Sequence, residues 1–133
     1  MSTNIVISGC CGRMGRAIAA LALEDSAFGL GAVLEASGHE AIGHDYGTVL
    51  GRPAPLRLPV LDDPKQAMGK GDGVIEFTAP AVTGEHVRIA QQLGKAMVIG
   101  TTGLSAEQVN ALRSAAAKIP IIFSPNMSLG VIV

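Results

Sequence analysis

The stretch NIVISGCCGRMGRAIAA near the start of the chain constrains the fold most, because an apolar run breaks into three evenly spaced glycines and resumes as an alanine-rich segment. Residues 5–7 form a short run of β-branched residues, which is typical of a buried strand, and residues 14–23 have the composition and periodicity of a helix. Gly9, Gly12 and Gly15 therefore lie in a strand-to-helix turn. Such a turn points free backbone N–H groups and the positive end of a helix dipole outward, and small residues let an anion approach closely. The turn predicts a phosphate-binding site.

The rest of the chain alternates predicted strands with predicted helices. Further strands are predicted at residues 30–36, near Leu58, at 73–78, at the start of 96–103 and at 120–124, and residues 37–59 read mainly as a Gly/Pro-rich surface loop. A short helix is predicted to open at Asp62, Asp63 and Pro64, with the proline in its first turn. Further helices are predicted over 83–93 and from a capping box of Ser105 and Gln108 to about Lys118. Strands separated by helices, with near-continuous apolar runs, indicate an α/β fold: a doubly wound parallel sheet covered on both faces.

Composition and charge fit this fold and disfavour several classes of partner. Apolar residues make up 48% of the 133 residues and aromatic residues only 3%, which is typical of one compact α/β domain. The net charge of −1, with no basic stripe, disfavours nucleic acid and anionic membrane surfaces as partners. No apolar run is long enough to span a membrane and MSTN does not resemble a signal peptide, so we expect a cytoplasmic protein.

Candidate binding residues follow the predicted strands, at the edge where doubly wound sheets bind ligands. Glu35 is the most informative, because it lies twenty residues after Gly15 at the end of the second strand, where a carboxylate can accept hydrogen bonds from ribose hydroxyls. The spacing G-x-x-G-x-x-G departs from the usual dinucleotide fingerprint and predicts a turn about one residue longer. The strand-end candidates are Gly9, Cys10, Cys11, Gly12, Arg13, Met14, Glu35, Phe77, Thr78, Gly100, Thr101, Thr102, Ser124, Pro125 and Asn126.

Several of these residues also have a purely structural interpretation. The glycines could only turn the chain beneath a close helix crossing, and Arg13 could be a solvated arginine at a helix start, although a phosphate contact is favoured. Residues 100–103 could be a simple loop. Asn126 could cap a turn as readily as contact a ligand.

The cysteines and histidines predict little chemistry. Cys10 and Cys11 are adjacent, which suits neither a disulfide framework nor a zinc site, and we expect no metal. Their position at a helix N-terminus favours a lowered thiol pKa and oxidation. His39 and His44 are expected to be exposed in the long loop, and His86 to pack or cap on a helix.

Four segments in order, SGCCGRMGR, EFTAP, VIGTTG and SPNMSLGV, resemble dihydrodipicolinate reductases, the NAD(P)H-dependent 4-hydroxy-tetrahydrodipicolinate reductases of the diaminopimelate route to lysine. The resemblance spans the whole chain and implies a Rossmann-like domain. It implies that residues 9–14 wrap the pyrophosphate, that Glu35 holds the adenosine ribose, and that residues 100–102 and 124–127, including Met127, line the nicotinamide. Phe77 and Thr78 would border the cofactor cleft, and Thr102 would also lie close to the substrate.

The resemblance also indicates which parts of such an enzyme do not occur in these 133 residues. The family continues into a second domain that carries a histidine pair, a lysine and a PSGT segment for binding the dicarboxylate and assisting proton transfer. We therefore assign residues 1–125 to the nucleotide-binding domain and 126–133 to the start of the crossover, with no catalytic residue in this chain. The expected function is the cofactor-binding half of the reductase, a homotetramer when full length. The alternative is a free-standing NAD(H)-binding sensor or interaction module.

The residue after Glu35 bears on the choice of cofactor. A 2′-phosphate needs a cation beside the ribose, and many family members have an arginine immediately after the acid, where this chain has Ala36. Glu35 would also repel a phosphate. The sequence therefore predicts that NADH is preferred and that NADPH is possible.

Overall fold

A computed structural model describes residues 2–125, which contain six strands and five helices. The strands are β1 (Thr3–Ser8), β2 (Phe28–Leu34), β3 (Val60–Leu61), β4 (Gly73–Glu76), β5 (Ala96–Ile99) and β6 (Ile121–Phe123). The helices are α1 (Arg13–Leu23), α2 (Tyr46–Val49), α3 (Pro64–Met68), α4 (Pro80–Leu93) and α5 (Ala106–Ala115). None of these described helices is long and apolar enough to cross a membrane.

The six strands form one sheet in the order β3-β2-β1-β4-β5-β6, and every neighbouring pair is parallel. The order reverses direction between β1 and β4, so the sheet is doubly wound and the predicted fold is confirmed. In such a sheet the crevice beyond the carboxyl ends of the strands, at the switch point, is the usual place for a ligand. The segments after β1, β2, β4 and β5 all lie at that edge.

The sheet separates two apolar cores because successive side chains of a strand point to opposite faces. Ile5 and Ile7 pack with α1 and the long loop on one face, whereas Val6 packs with α3, α4 and α5 on the other. Val6 and Ile7 are fully buried. Each such side chain stabilises the fold by roughly 1.5 to 3 kcal/mol relative to exposure, so the apolar run of β1 anchors both layers.

Two predicted helix starts are confirmed by their capping hydrogen bonds. The side chain of Asp63 accepts from the N–H groups of Lys65 and Gln66, with Pro64 in the first turn of α3. Ser105 and Gln108 form the reciprocal capping box of α5. These signals are local in sequence, which is why they could be recognised without the fold.

Other boundaries differ from the prediction by a few residues. β2 spans Phe28–Leu34, so Glu35 lies just beyond the strand instead of inside it. α4 begins at Pro80, three residues before the predicted start, because proline is well tolerated in the first turn. α5 ends at Ala115, and residues 116–118 form turns.

The long segment between β2 and β3 is more ordered than the surface loop that was predicted. It contains the one-turn helix α2, whose first residue Tyr46 is fully buried. Asp45 caps this helix, and its carboxylate accepts from the N–H groups of Gly47, Leu56 and Leu58 at 2.8 to 2.9 Å. These hydrogen bonds favour the ionised carboxylate and lower the pKa of Asp45.

Replacing Gly84 by alanine is expected to stabilise the domain. Gly84 lies in the interior of α4, is exposed, and has no described atom within 4 Å of the position that a Cβ would occupy. The loss of glycine's extra backbone freedom should therefore raise the free energy of unfolding by about 0.5 to 1 kcal/mol, measured by urea denaturation. The matched control is Gly94→Ala, which is equally uncrowded but has a φ of +68°, and it should destabilise. Stabilisation by both substitutions would contradict this account.

Candidate functional site

The glycine turn after β1 is packed so tightly that two of its glycines cannot carry a side chain. Gly9 has a φ of +86°, and a Cβ there would overlap the carbonyl oxygen of Phe77. A Cβ on Gly15 would overlap the carbonyl oxygen of Gly9, because the first turn of α1 crosses directly over the loop. The turn and the loop after β4 are thus held in direct backbone contact.

Gly12 differs from these two glycines because it faces open space. Its φ of −75° is ordinary, and the nearest described atom to a Cβ would be the carbonyl oxygen of Gly9 at 3.4 Å. It is the N-cap of α1, but no side chain caps the helix and no acidic residue lies in the first turn. The first N–H groups of α1 and the positive end of its dipole therefore face outward. This is the geometry of an anion site.

Glu35 lies against the same turn from the neighbouring strand. Its carboxylate accepts from the N–H of Cys11 and from the N–H of Ala36, both at 2.9 Å. A carboxylate has about four lone-pair positions, so these bonds fix its orientation and leave two positions for further donors. The side chain is half-buried and reaches the adjoining cavity, as a carboxylate that binds ribose hydroxyls would need to.

Two cavities follow one another along this edge of the sheet. The first has a volume of about 500 Å³, and we call it the ribose-side cavity because it contains Glu35, for which the sequence predicts a ribose contact. The second, of about 360 Å³, is called the turn-side cavity. Gly12, Phe77 and Thr78 line both. An elongated ligand could therefore lie across the N-terminus of α1 with one end in each cavity.

Most of the predicted site residues line one of these cavities, whereas Cys10, Cys11 and Ser124 line neither. Glu35, Ala36 and Gly9 line the ribose-side cavity, together with Ser37 and Asp62, which were not predicted. The turn-side cavity is lined by Gly12, Arg13, Met14, Gly15, Phe77, Thr78, Gly100, Thr101, Thr102 and Pro125. The N–H of Ser124 donates to the carbonyl of Ile99, which places Ser124 beside Gly100. Asn126 and Met127 lie outside the described residues.

Phe77 fills the space between the two glycine-containing loops. Its carbonyl meets Gly9, and its ring covers Gly100 so closely that a Cβ on Gly100 would overlap it. The residue therefore fixes the separation of the loops after β1, β4 and β5. This explains physically why a glycine follows β5.

A buried polar cluster, which we define as Ser8, Glu76, Thr78, Thr83, His86 and Thr101, adjoins the cavities. Ser8, Thr78, His86 and Thr101 also line them. Glu76 is fully buried at the end of β4, and its two carboxylate oxygens lie 2.9 and 2.8 Å from Nδ1 of His86. It also accepts from the hydroxyls of Thr78 and Thr83. Because the carboxylate has these partners, its burial is tolerated.

The prediction that His86 packs in the structure is confirmed, because it is 7% exposed, and His39 and His44 are exposed as predicted. Sequence reasoning missed Glu76. The available signal was a carboxylate in the last position of the apolar strand GVIE, where a charge must find buried partners.

The predicted lowering of the cysteine pKa is wrong. Burial raises the pKa of both Cys10 and Cys11, because the thiolate loses hydration. Cys10 is fully buried, and the hydroxyl of Tyr46 donates to its carbonyl oxygen at 2.7 Å. Donor atoms of Cys10, Cys11 and Glu35 lie within 4.8 Å of one another, but the carboxylate is already engaged by backbone N–H groups. The absence of a metal site stays a prediction.

The sheet order, the glycine turn and the carboxylate after β2 define a nucleotide-binding domain of the Rossmann type. The chain belongs to the family described as "Dihydrodipicolinate reductase, N-terminus", whose model matches residues 3–127. The resemblance seen in the sequence is thus confirmed for nearly the whole chain.

Individual relatives agree with this assignment. The 4-hydroxy-tetrahydrodipicolinate reductase of Aromatoleum aromaticum is 42% identical over 128 residues, which are 96% of this chain and 46% of the relative. That of Ruegeria pomeroyi is 43% identical over 96% of this chain and 47% of the relative. The structure of "Dipicolinate bound Dihydrodipicolinate reductase" from Paenisporosarcina sp. TG-14 is similar with a TM-score of 0.76 and 28% identity, covering 98% of this chain and 49% of that one. The chain spans about half the length of the relatives it matches.

Proposed function

We propose that this chain binds NADH along the carboxyl edge of its sheet, as the cofactor-binding half of a 4-hydroxy-tetrahydrodipicolinate reductase. The observation that carries the proposal is the pairing of Glu35 with the open N-terminus of α1 across the two joined cavities. The adenosine ribose would hydrogen bond to Glu35, the pyrophosphate would lie on Gly12 and the first turn of α1, and the nicotinamide would lie at residues 100–102. Family membership supports the same arrangement.

Gly12 and the first turn of α1 suit a pyrophosphate, because each phosphate oxygen needs hydrogen-bond donors close by. Gly12 offers room on the side where any other residue would place a Cβ, and Arg13 adds an exposed cation at the turn-side cavity. Charge-assisted hydrogen bonds of this kind are about twice as strong as neutral ones. The nucleotide would supply a hydride, and this chain's own residues would bind and orient it.

The full reaction would need more than this chain. The reductase converts (2S,4S)-4-hydroxy-2,3,4,5-tetrahydrodipicolinate to 2,3,4,5-tetrahydrodipicolinate with loss of water and oxidation of NAD(P)H. The dicarboxylate and the proton donor would be held by residues of a second domain, with Thr102 near the substrate and four copies in the full-length assembly. Without a positioned acceptor, orientation and acid–base catalysis are lost. We therefore expect these 133 residues to bind nucleotide without turnover.

The charges around the ribose-side cavity favour NADH over NADPH. Its described lining includes three carboxylates, Glu35, Asp62 and Glu85, and no lysine or arginine. A 2′-phosphate there would meet like charges and no compensating cation. We expect NADH to bind more tightly by about 1 to 3 kcal/mol, the scale of one charge-assisted contact.

Calorimetric titration of the chain with NADH and NADPH at equal ionic strength tests this proposal. Binding of NADH with a 1:1 stoichiometry would support it, and AMP should bind more weakly because it lacks the nicotinamide half. If none of these nucleotides binds, the glycine turn serves only the packing of α1 and the proposed function is wrong. Equal affinity for NADH and NADPH would reject only the stated preference.

Replacing Ala36 by arginine should change the cofactor preference. Ala36 is exposed and lines the ribose-side cavity next to Glu35, so a guanidinium there could meet a 2′-phosphate. NADPH affinity should rise by about tenfold, since a charge-assisted contact is worth about 1.5 kcal/mol or more, while NADH affinity changes little. Calorimetry with both nucleotides measures the effect, with Ala36→Gln as the uncharged control. If Ala36→Arg does not raise the affinity for NADPH, the ribose binds at another part of the domain.

A further inference from the structure

The buried polar cluster links the loops that form the turn-side cavity by side-chain hydrogen bonds. The loop after β4 contributes Thr78, the loop after β5 contributes Thr101, and α4 contributes Thr83. All three connect to Glu76 at the end of β4, directly or through one another. The cluster therefore gives Glu76 its hydrogen-bond partners and also connects the loops after β4 and β5 to α4.

Thr83 lies at the centre of these contacts and is 1% exposed. Its hydroxyl oxygen is 3.0 Å from the Thr101 hydroxyl, 3.2 Å from the Thr78 hydroxyl and 3.3 Å from a carboxylate oxygen of Glu76. It also lies 3.1 Å from the carbonyl oxygen of Ala79. A hydroxyl has one proton and two lone pairs, whereas an ionised carboxylate only accepts. With its one proton, the Thr83 hydroxyl donates to only one acceptor at a time among Glu76, the Ala79 carbonyl and Thr101, and its lone pairs are left to accept from the neighbouring threonine hydroxyls.

The loop after β5 depends on this connection because, beyond Gly100, its backbone is little constrained. Gly100 donates to the carbonyl of Glu76 at 2.9 Å. Beyond it, no N–H of residues 101–104 donates to a backbone carbonyl of residues 2–125. The buried side chain of Thr101 instead ties the loop to the N–H of Thr78 and to the hydroxyl of Thr83.

The ribose-side features are held by different interactions. Glu35 is oriented by the N–H groups of Cys11 and Ala36, and the glycine turn is held by its contact with Phe77 and by the hydroxyl of Tyr46. None of these interactions involves Thr83. Thr78, a partner of Thr83, lines both cavities, but the Thr83 hydroxyl makes no direct contact with the groups that hold Glu35 and the glycine turn.

We propose that Thr83 is a positioning residue that holds Thr101, and with it residues 100–102, in place for the nicotinamide half of the dinucleotide. The inference rests on the proposed nucleotide binding and adds to it a residue that does not line either cavity. The hydroxyl of Thr83 contributes to binding of the nicotinamide half of the cofactor and not to binding of the adenosine half.

The test compares NADH with AMP, which carries only the adenosine end. Thr83→Val keeps the shape of the side chain and removes the hydroxyl. The affinity for NADH should fall by about tenfold, as expected when buried polar partners lose a hydrogen bond, while the affinity for AMP stays within about twofold. The enhancement of NADH fluorescence on binding should also decrease, because the nicotinamide is held less firmly.

Two control variants separate positioning from loss of stability. Thr83→Ser restores the hydroxyl and should recover most of the NADH affinity. Val87→Ala removes buried methyl groups one turn further along α4, so it should destabilise the fold without selective loss of NADH.

Three results would overturn the inference: equal losses for NADH and AMP in Thr83→Val, no loss for either, or the same selective loss in Val87→Ala. Failure of the unsubstituted chain to bind both AMP and NADH would instead reject the proposed function on which the inference rests.

Discussion

Replacement of Gly9 by alanine should destabilise the domain by about 2 to 5 kcal/mol and abolish nucleotide binding. The left-handed backbone conformation costs an alanine about 1 to 2 kcal/mol. The added Cβ would also overlap the carbonyl oxygen of Phe77, and a backbone shift to relieve such overpacking costs about 1 to 3 kcal/mol more. Because this contact joins the loops after β1 and β4, the shift would open the wall that both cavities share. Urea denaturation and NADH titration measure the two effects.

Gly12→Ala is the matched control for Gly9→Ala. Its backbone conformation suits alanine, and a Cβ would meet only the Gly9 carbonyl at 3.4 Å, so stability should change by less than about 1 kcal/mol. Binding should still weaken by about tenfold or more, because the Cβ would occupy the position proposed for the pyrophosphate. A Gly9→Ala variant as stable as the unsubstituted chain would contradict the packing described for this turn. If Gly12→Ala binds NADH with unchanged affinity, the pyrophosphate does not bind at the glycine turn.

Replacement of Glu35 by alanine should weaken NADH binding by about 10- to 150-fold. A hydrogen bond from a ribose hydroxyl to a charged acceptor is worth about 1.5 to 3 kcal/mol, and one such bond would be lost. NADPH should lose much less affinity, since its 2′-phosphate is repelled by the same carboxylate. The change also removes the acceptor for the N–H groups of Cys11 and Ala36, so the free energy of unfolding must be measured alongside calorimetry.

The control for this prediction is Glu85→Ala, which removes a second carboxylate from the rim of the same cavity. Glu85 is exposed on α4, and the described residues give it no side-chain hydrogen bond to the glycine turn. NADH affinity should change by less than about twofold, because an exposed charge is well screened. Similar losses in Glu35→Ala and Glu85→Ala would indicate a general effect of charge and would contradict a specific ribose contact at Glu35.

The parts of the fold that could be predicted from sequence are those with local causes. The β-branched run of β1, the Asp63 cap of α3 and the capping box of α5 each involve residues within four positions of one another. The parallel direction of the strands followed from their alternation with helices. α2 was missed because its cap, Asp45, is held by N–H groups eleven and thirteen residues further along the chain.

The candidate site shows the same limit. The distance from Gly15 to Glu35 in sequence indicated a carboxylate next to the turn, and the structure brings Glu35 to the N–H of Cys11. The direction of the cysteine pKa shift was wrong because it depends on burial, which only the packed structure determines. The polar cluster as a whole could not be predicted from the sequence, because its members come from β1, β4, the loop after β4, α4 and the loop after β5.

The position of Phe77 has a consequence for the energetics and speed of ligand capture. Its carbonyl and its ring touch Gly9 and Gly100, so packing within the chain itself sets the gap between the loops. When a ligand binds in a groove of fixed width, little of its binding free energy is lost to ordering the protein. The rate of ligand association with this groove should then be governed by diffusion and by the orientation of the ligand. Any slow conformational change during binding would involve residues outside the Phe77 contacts.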